Sequence, residues 1–194
     1  MRSILLVVLP YRLGDATTDT TKKAARSFLA FPYGVLTLAS YLRRFAKNLS
    51  QLEVLDLNLT YVKEPDVVFK QKLLDMKPDV IGFSMSYDVS YPWLKSLCIA
   101  AKDYDKGLCT VAGGPAITTA YSEILGECEL DACCYSEGEV ALKNLIEAND
   151  LPAALLENPW VTKDKLAKKA HIAAVYDDLD NIIDVDYSLV EIDA

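Results

Sequence analysis

The chain has 194 residues, is 52% hydrophobic and carries a formal net charge of −8. That length suits one domain with a sizeable core, and that hydrophobic content argues against disorder. The charge repels nucleic acid, and the longest early apolar run, Ile4 to Leu9, is too short for a membrane span or a usual signal-peptide core.

A soluble, cytoplasmic protein is therefore expected. Ser3 to Leu9 reads as a first buried strand, stopped by Pro10. Tyr11 to Ala30 is a long loop rich in Thr, Asp and Lys, and loops of that length are usually functional or mobile. Phe31-Pro32-Tyr33-Gly34 opens a first helix, with Val35, Leu38, Ala39, Leu42, Phe45 and Ala46 at helical spacing. Glu53 to Leu59 is a second strand, and a second helix starts at Pro65 and ends before Pro78.

Val80-Ile81-Gly82-Phe83 has the length and branching of a buried strand and ends at Ser84-Met85-Ser86-Tyr87. Pro92 opens a helix whose apolar residues are Leu94, Leu97, Cys98 and Ala101, and Cys109-Thr110-Val111-Ala112 is the next strand, ending in Gly113-Gly114-Pro115. Strand, helix, strand with no room for a hairpin is a βαβ unit with parallel strands. A short helix over Thr118 to Leu125 and a fifth strand over Leu130 to Tyr135 follow. Ser136 and Glu139 fit a capping box for a helix running to about Ala148. Five βα units in alternation predict an α/β fold over residues 1–149: a doubly wound five-stranded parallel sheet, Rossmann-like or flavodoxin-like.

From Asp150 the periodicity weakens, so 150–194 reads as an irregular extension and linker. Ile172 to Tyr176 is expected to pair with Trp160-Val161 as a small hairpin. The acidic stretch from Asp177 is expected to be mobile or to dock only through a few apolar residues such as Ile182, Ile183 and Leu189.

Ser84, Ser86, Gly113, Gly114 and the run Ser136-Glu137-Gly138-Glu139 all fall at carboxyl ends of predicted strands, where open α/β sheets bind ligands. Singly, each has a structural explanation: a tight turn, a helix cap, a capping box. Together on one edge they point to a ligand that spans several loops. No Gly-x-Gly-x-x-Gly follows the first strand and no phosphate loop is present, which argues against dinucleotides and nucleoside triphosphates. The five cysteines read as reduced and buried, with no zinc or iron–sulfur spacing. Cys133 and Cys134 should point to opposite sheet faces. His171 is the single histidine, and nothing in the sequence puts it beside a nucleophile. Two alternatives stay open: a flavodoxin-like flavin-binding module, and an interaction domain with a vacant sheet edge.

Ser84-Met85-Ser86 and Gly113-Gly114 match, in position and spacing, the Ser-x-Leu and Gly-Gly motifs that end two strands of cobalamin-binding domains, with Ser86 in place of Leu. Phe31-Pro32-Tyr33-Gly34-Val35-Leu36 is similar to a Pro-Pro-x-Gly-Leu helix start, and Glu137-Gly138-Glu139 to part of a Gly-Glu-Gly-Glu run. Leu179-Asp180-Asn181-Ile182 and Asp186-Tyr187 look like a linker into a radical domain. The ordered set resembles the N-terminal cobalamin (vitamin B12)-binding domain of cobalamin-dependent radical S-adenosylmethionine enzymes, nearest the anaerobic magnesium-protoporphyrin IX monomethyl ester cyclase group.

The resemblance implies a cobalamin site formed by Tyr11, Leu13, Ser84, Ser86, Tyr87, Gly113, Gly114, Pro115, Glu137 and Gly138, with no catalytic residue and no protein metal ligand in this chain. The loop after the first strand lacks the histidine of the mutase branch, which implies base-off, His-off cobalamin. The Cys-x-x-x-Cys-x-x-Cys of the radical domain is also missing, so S-adenosylmethionine and a 4Fe-4S cluster would belong to a parent domain outside this chain. Replacing Gly114 with valine is expected to fill the tail pocket and leave the fold intact.

Overall fold

Unbroken aliphatic runs form strands that are buried on both faces. The computed structural model describes residues 1–11, 31–59, 62–175, 178 and 184–189. Five strands are parallel, and β1, β3 and β4 are of this kind: β1 (Arg2–Val8), β2 (Leu49–Asp56), β3 (Val80–Ser84), β4 (Cys109–Gly113) and β5 (Ala132–Cys134). A sixth, β6 (Trp160–Val161), pairs antiparallel with β5, and the order across the sheet is β2-β1-β3-β4-β5-β6. The first five follow the doubly wound 2-1-3-4-5 order, so the predicted α/β class holds with one extra edge strand.

Because side chains alternate along a strand, each strand feeds two cores. Ile4, Leu6, Val80 and Val111 meet α1 (Tyr33–Phe45) and α5 (Glu139–Glu147) on one face, through Val35, Ala39, Leu42, Leu142 and Leu145. Leu5, Val7, Ile81 and Phe83 meet α2 (Pro65–Met76), α3 (Tyr91–Tyr104) and α4 (Pro115–Glu127) on the other, through Phe69, Leu73, Leu94, Leu97 and Ile117. Cys133 and Cys134 fall in opposite cores, as the strand period requires, and all five cysteines are free and buried.

Four local expectations change. Strand β2 begins at Leu49, earlier than the sequence implied, because its partner β1 starts at Arg2 and pairs with it along its length. Helix α4 begins at Pro115, with non-helical backbone at Ala120 marking a kink. The capping box does not form: α5 starts at Glu139, so the cap position falls on Gly138, and Ser136 takes φ 78 instead. Trp160-Val161 pairs with β5 and not with residues 172–175, and at that edge of the sheet both side chains become buried.

Two short helices complete the extension, α6 (Leu151–Ala154) and α7 (Lys163–Ala167). The buried Lys165 ammonium ties the edge strand down, donating to the carbonyls of Trp160 at 2.8 Å and Glu157 at 3.0 Å. Residues 184–189 lie on α1. The Asp186 backbone N–H donates to Ser40 Oγ at 2.8 Å, its carboxylate pairs with Arg43 at 2.7 Å, and Leu189 packs against the α1/α5 core. Ile182 and Ile183 lie outside the described residues. Among the described residues no helix is long and apolar enough to cross a membrane.

Candidate functional site

The loops after β3 and β4 cross at the carboxyl edge of the sheet. Met85 N–H donates to the Gly113 carbonyl at 2.9 Å, and Ala116 N–H donates back to the Met85 carbonyl at 3.3 Å. This crossing requires Gly114. Its φ is +110°, and a Cβ there would stand 2.7 Å from the Met85 carbonyl oxygen. The expectation that valine at 114 leaves the fold intact does not fit this geometry, because the missing side chain makes room for backbone.

Below the crossing, a cavity of about 210 Å³ opens between the sheet and the α1/α5 layer. Its sheet wall is Leu6, Gly82 and Val111, which are register partners on β1, β3 and β4. Gly82 lowers the middle of that wall so far that Leu6 leans over it: an added Cβ would come within 2.9 Å of Leu6 Cδ2. The helix wall is Gly34, Val35 and Leu38 from α1 with Gly138 and Leu142 from α5. The rim carries Ser84, Ser86, Gly113, Gly114, Pro115 and Glu137.

A second cleft of about 170 Å³ adjoins it and shares Gly34, Val35, Ser84 and Ser86. Tyr11, Phe31, Tyr33, Tyr87 and Ser90 complete its lining. The Tyr11 and Tyr87 rings pack with centroids 5.2 Å apart. Tyr11 is held from behind: its backbone N–H donates to Asn58 Oδ1 at 2.9 Å, and Asn58 Nδ2 donates to the Leu9 carbonyl and to Asp56 Oδ1, both at 3.0 Å.

The structure thus brings nine of the ten sequence-chosen residues to these two adjoining spaces, with Tyr11 and Tyr87 in the upper one only; Leu13 lies outside the described residues. Gly34, Gly82, Ser90 and the Asp56–Asn58 support were missed by the sequence reading. The polar pair ending an apolar strand was a visible signal for that support. Gly34 and Gly82 had none, because a glycine's use depends on what faces it.

Among the described residues the hydroxyls of Ser84, Ser86 and Ser90 make no hydrogen bond to protein, although Ser90 is 1% exposed. A buried polar group without a partner is rare in folded proteins and marks a place for a ligand or water, which here concerns Ser90; Ser84 is half-buried and Ser86 exposed. Among the described residues no group of three or more His, Cys, Asp or Glu converges, and the exposed His171 lines neither space.

Cys134 is the thiol nearest the ligand space. Burial pushes it up to about 12, so it stays neutral, and its Sγ lies 3.4 Å from the Glu137 carbonyl it donates to. Burial likewise pushes Cys109 and Cys133 up to about 12 and raises Cys98. Thiolates are the reactive form. The native protein should therefore resist alkylation at pH 8, with all five thiols reacting after denaturation; rapid labelling of Cys134 in the native state would contradict this reading.

A family model described as the B12 binding domain matches residues 23–146. Among solved structures, the cobalamin-dependent S-adenosylmethionine radical enzyme OxsB, with aqua-cobalamin and S-adenosylmethionine bound, is similar over 76% of this chain and 18% of its own, at 22% identity and a TM-score of 0.57. The radical S-adenosylmethionine methyltransferase TsrM from Kitasatospora setae, with tryptophan substrate and a SAM analog bound, is similar over 76% of this chain and 26% of its own, at 15% identity and a TM-score of 0.60. At such identities the likeness is one of fold, and this chain spans only a minor part of either enzyme. No curated protein matches the chain.

Proposed function

Since the chain belongs to the B12 binding domain family, we propose that it is the cobalamin-binding unit of a cobalamin-dependent radical S-adenosylmethionine methyltransferase or cyclase. The observation that carries this reading is the deep cavity under the strand ends. At about 210 Å³ it is smaller than the roughly 300–1,000 Å³ of sites that swallow a whole drug-sized ligand. It suits one fused-ring group, with the rest of the ligand lying above the sheet edge. The dimethylbenzimidazole tail of cobalamin is such a group.

In this reading Ser84, Ser86, Gly113 and Gly138 wall the tail, and Gly114 and Pro115 hold the loop that frames it. Glu137 sits at its rim. Tyr11 and Tyr87 face the ring from the upper cleft. When bound, cobalamin supplies a cobalt centre able to carry a methyl group or a single electron. The extension from residue 150 leads toward a radical domain, which supplies S-adenosylmethionine and the iron–sulfur cluster in the parent enzyme.

A buried tail is withheld from the metal, which makes the cofactor base-off. His-off binding follows from the ligands available. Imidazole ligates well because its nitrogen is neutral near physiological pH. The one imidazole of the chain, His171, is exposed and lines neither space. A tyrosine would first have to lose a proton with pKa about 10.

Mixing the protein with hydroxocobalamin and desalting should leave a coloured protein fraction with a base-off absorption spectrum. Electron paramagnetic resonance of the cobalt(II) form should lack nitrogen superhyperfine splitting. A colourless fraction, or tight retention of flavin instead, would overturn the cobalamin reading. Nitrogen splitting that disappears in His171→Ala would overturn the His-off assignment alone.

A further inference from the structure

The deep cavity is polar at its mouth and apolar at its depth. Ser84, Ser86 and Glu137 sit at strand ends, whereas Leu6, Val35, Val111, Leu142 and Trp160 line the interior and are buried. Resting on the cobalamin reading, we infer that this gradient makes the chain selective for the lower base of the cofactor: a benzimidazole tail is accepted and a purine tail is rejected.

The argument is one of unmet hydrogen bonds. Adenine carries an exocyclic amine that must donate and ring nitrogens that accept, whereas the six-membered ring of dimethylbenzimidazole carries only C–H and methyl groups. The sheet wall offers no backbone acceptor, since β3 is an inner strand whose amides and carbonyls are used in ladders to β1 and β4 on either side. Apart from Cys134, Trp160 is the polar side chain among the buried lining residues, and its indole N–H cannot accept from the amine; the acceptors that line the cavity, the hydroxyls of Ser84, Ser86 and Ser136 and the carboxylates of Glu137 and Glu139, stand in the strand-end loops at the mouth. The Cys134 thiol is neutral and directed to the Glu137 carbonyl. A buried amine without a partner keeps its full desolvation cost. The helix wall carries the selection through Leu38 of α1, which lines the cavity and packs beside Gly138, 3.1 Å from where a Cβ would stand.

The experiment is an equilibrium titration of the full chain, followed by absorbance, with three probes: cobalamin, the cobamide bearing adenine in place of dimethylbenzimidazole, and cobinamide, which has no tail. The adenine form is expected to bind ten- to a hundredfold more weakly than cobalamin, which corresponds to about 1.4–2.8 kcal/mol at 1.4 kcal/mol per tenfold. Cobinamide is also expected to bind more weakly than cobalamin. Leu38→Gln, which adds an acceptor at a half-buried position, should bring the two tailed forms closer together, while Leu38→Met keeps the wild-type ratio. Equal or tighter binding of the adenine form overturns the inference and leaves the cobalamin reading standing. Cobinamide binding as well as cobalamin also overturns it, because the tail would then lie outside the cavity. An unchanged ratio in Leu38→Gln removes Leu38 from the selecting wall. No binding of any probe overturns the cobalamin reading itself.

Discussion

Gly114→Val should lose a large part of its folding stability whether or not cofactor is present. A β-branched residue is a steric outlier at positive φ, and the backbone here has φ +110°. The new Cβ would also lie 2.7 Å from the Met85 carbonyl oxygen, and that oxygen is pinned by the Ala116 N–H. Strain and overpacking together cost roughly 2–5 kcal/mol, a large part of the 5–15 kcal/mol typical of a domain. For a chain of this size the midpoint of thermal unfolding should fall by roughly 10 °C. Gly114→Ala, which lacks the branch but keeps the clash, should fall between valine and wild type. A Gly114→Val protein that melts with wild type would show that the two loops can part without cost, and the crossing would lose its structural role.

Gly34→Phe should do the opposite, sparing the fold and removing the ligand. Gly34 lies in the first turn of α1, lines both spaces, and has no heavy atom within 4 Å of where a Cβ would stand. Replacing a helical glycine gains a few tenths of a kcal/mol in propensity. Thermal stability should hold or rise slightly. The ring, however, projects into the volume proposed for cobalamin, and affinity should drop by about a hundredfold or more, equivalent to roughly 2.8 kcal/mol. Gly34→Ala, with one methyl group in open space, should bind within a few-fold of wild type. Spectral titration of both variants beside their unfolding curves separates the two effects. Undiminished affinity in a folded Gly34→Phe protein would move the proposed site away from the α1 wall.

These two glycines were equally visible in the sequence, and their roles were not. Gly114 stood in a motif and was read as space for a ligand; the structure makes it space for a crossing backbone. Gly34 stood at a helix start and was read as part of a motif without a task; it lines both spaces, with no heavy atom within 4 Å of where a Cβ would stand. A side chain's absence has no meaning until its neighbours are known, and those neighbours come from β3, β4 and α5, far away in the chain.

The same distinction runs through the fold. Strands β1, β3 and β4 were legible because a doubly buried strand must be an unbroken apolar run, and Pro10, Ser84 and Gly113 punctuate those runs locally. The helices were legible from 3.6-residue spacing and from proline at their first turns, at Pro65 and Pro92. The two-residue strand β6 was not, because Trp160-Val161 has no period of its own and becomes a strand only against the open edge of β5. The Ser136–Glu139 cap failed for a related reason. Its spacing is correct, but the chain turns there with Ser136 at φ 78, and Gly138, packed against Leu38, takes the cap position.

Chain-local patterns of burial and punctuation were enough to establish alternating strands and helices, their parallel sense, and the gathering of small polar residues at the strands' carboxyl ends. They could not order the strands. Placing β3 between β1 and β4 sets Gly82 beside Leu6 and Val111 and opens the cavity beneath α1 and α5, and packing α1 against α5 closes its other side. Hydrophobic periodicity is a property of residues a few positions apart, whereas a cavity is a property of surfaces brought together from distant parts of the chain. The first can be read along one dimension; the second exists only after the chain has packed.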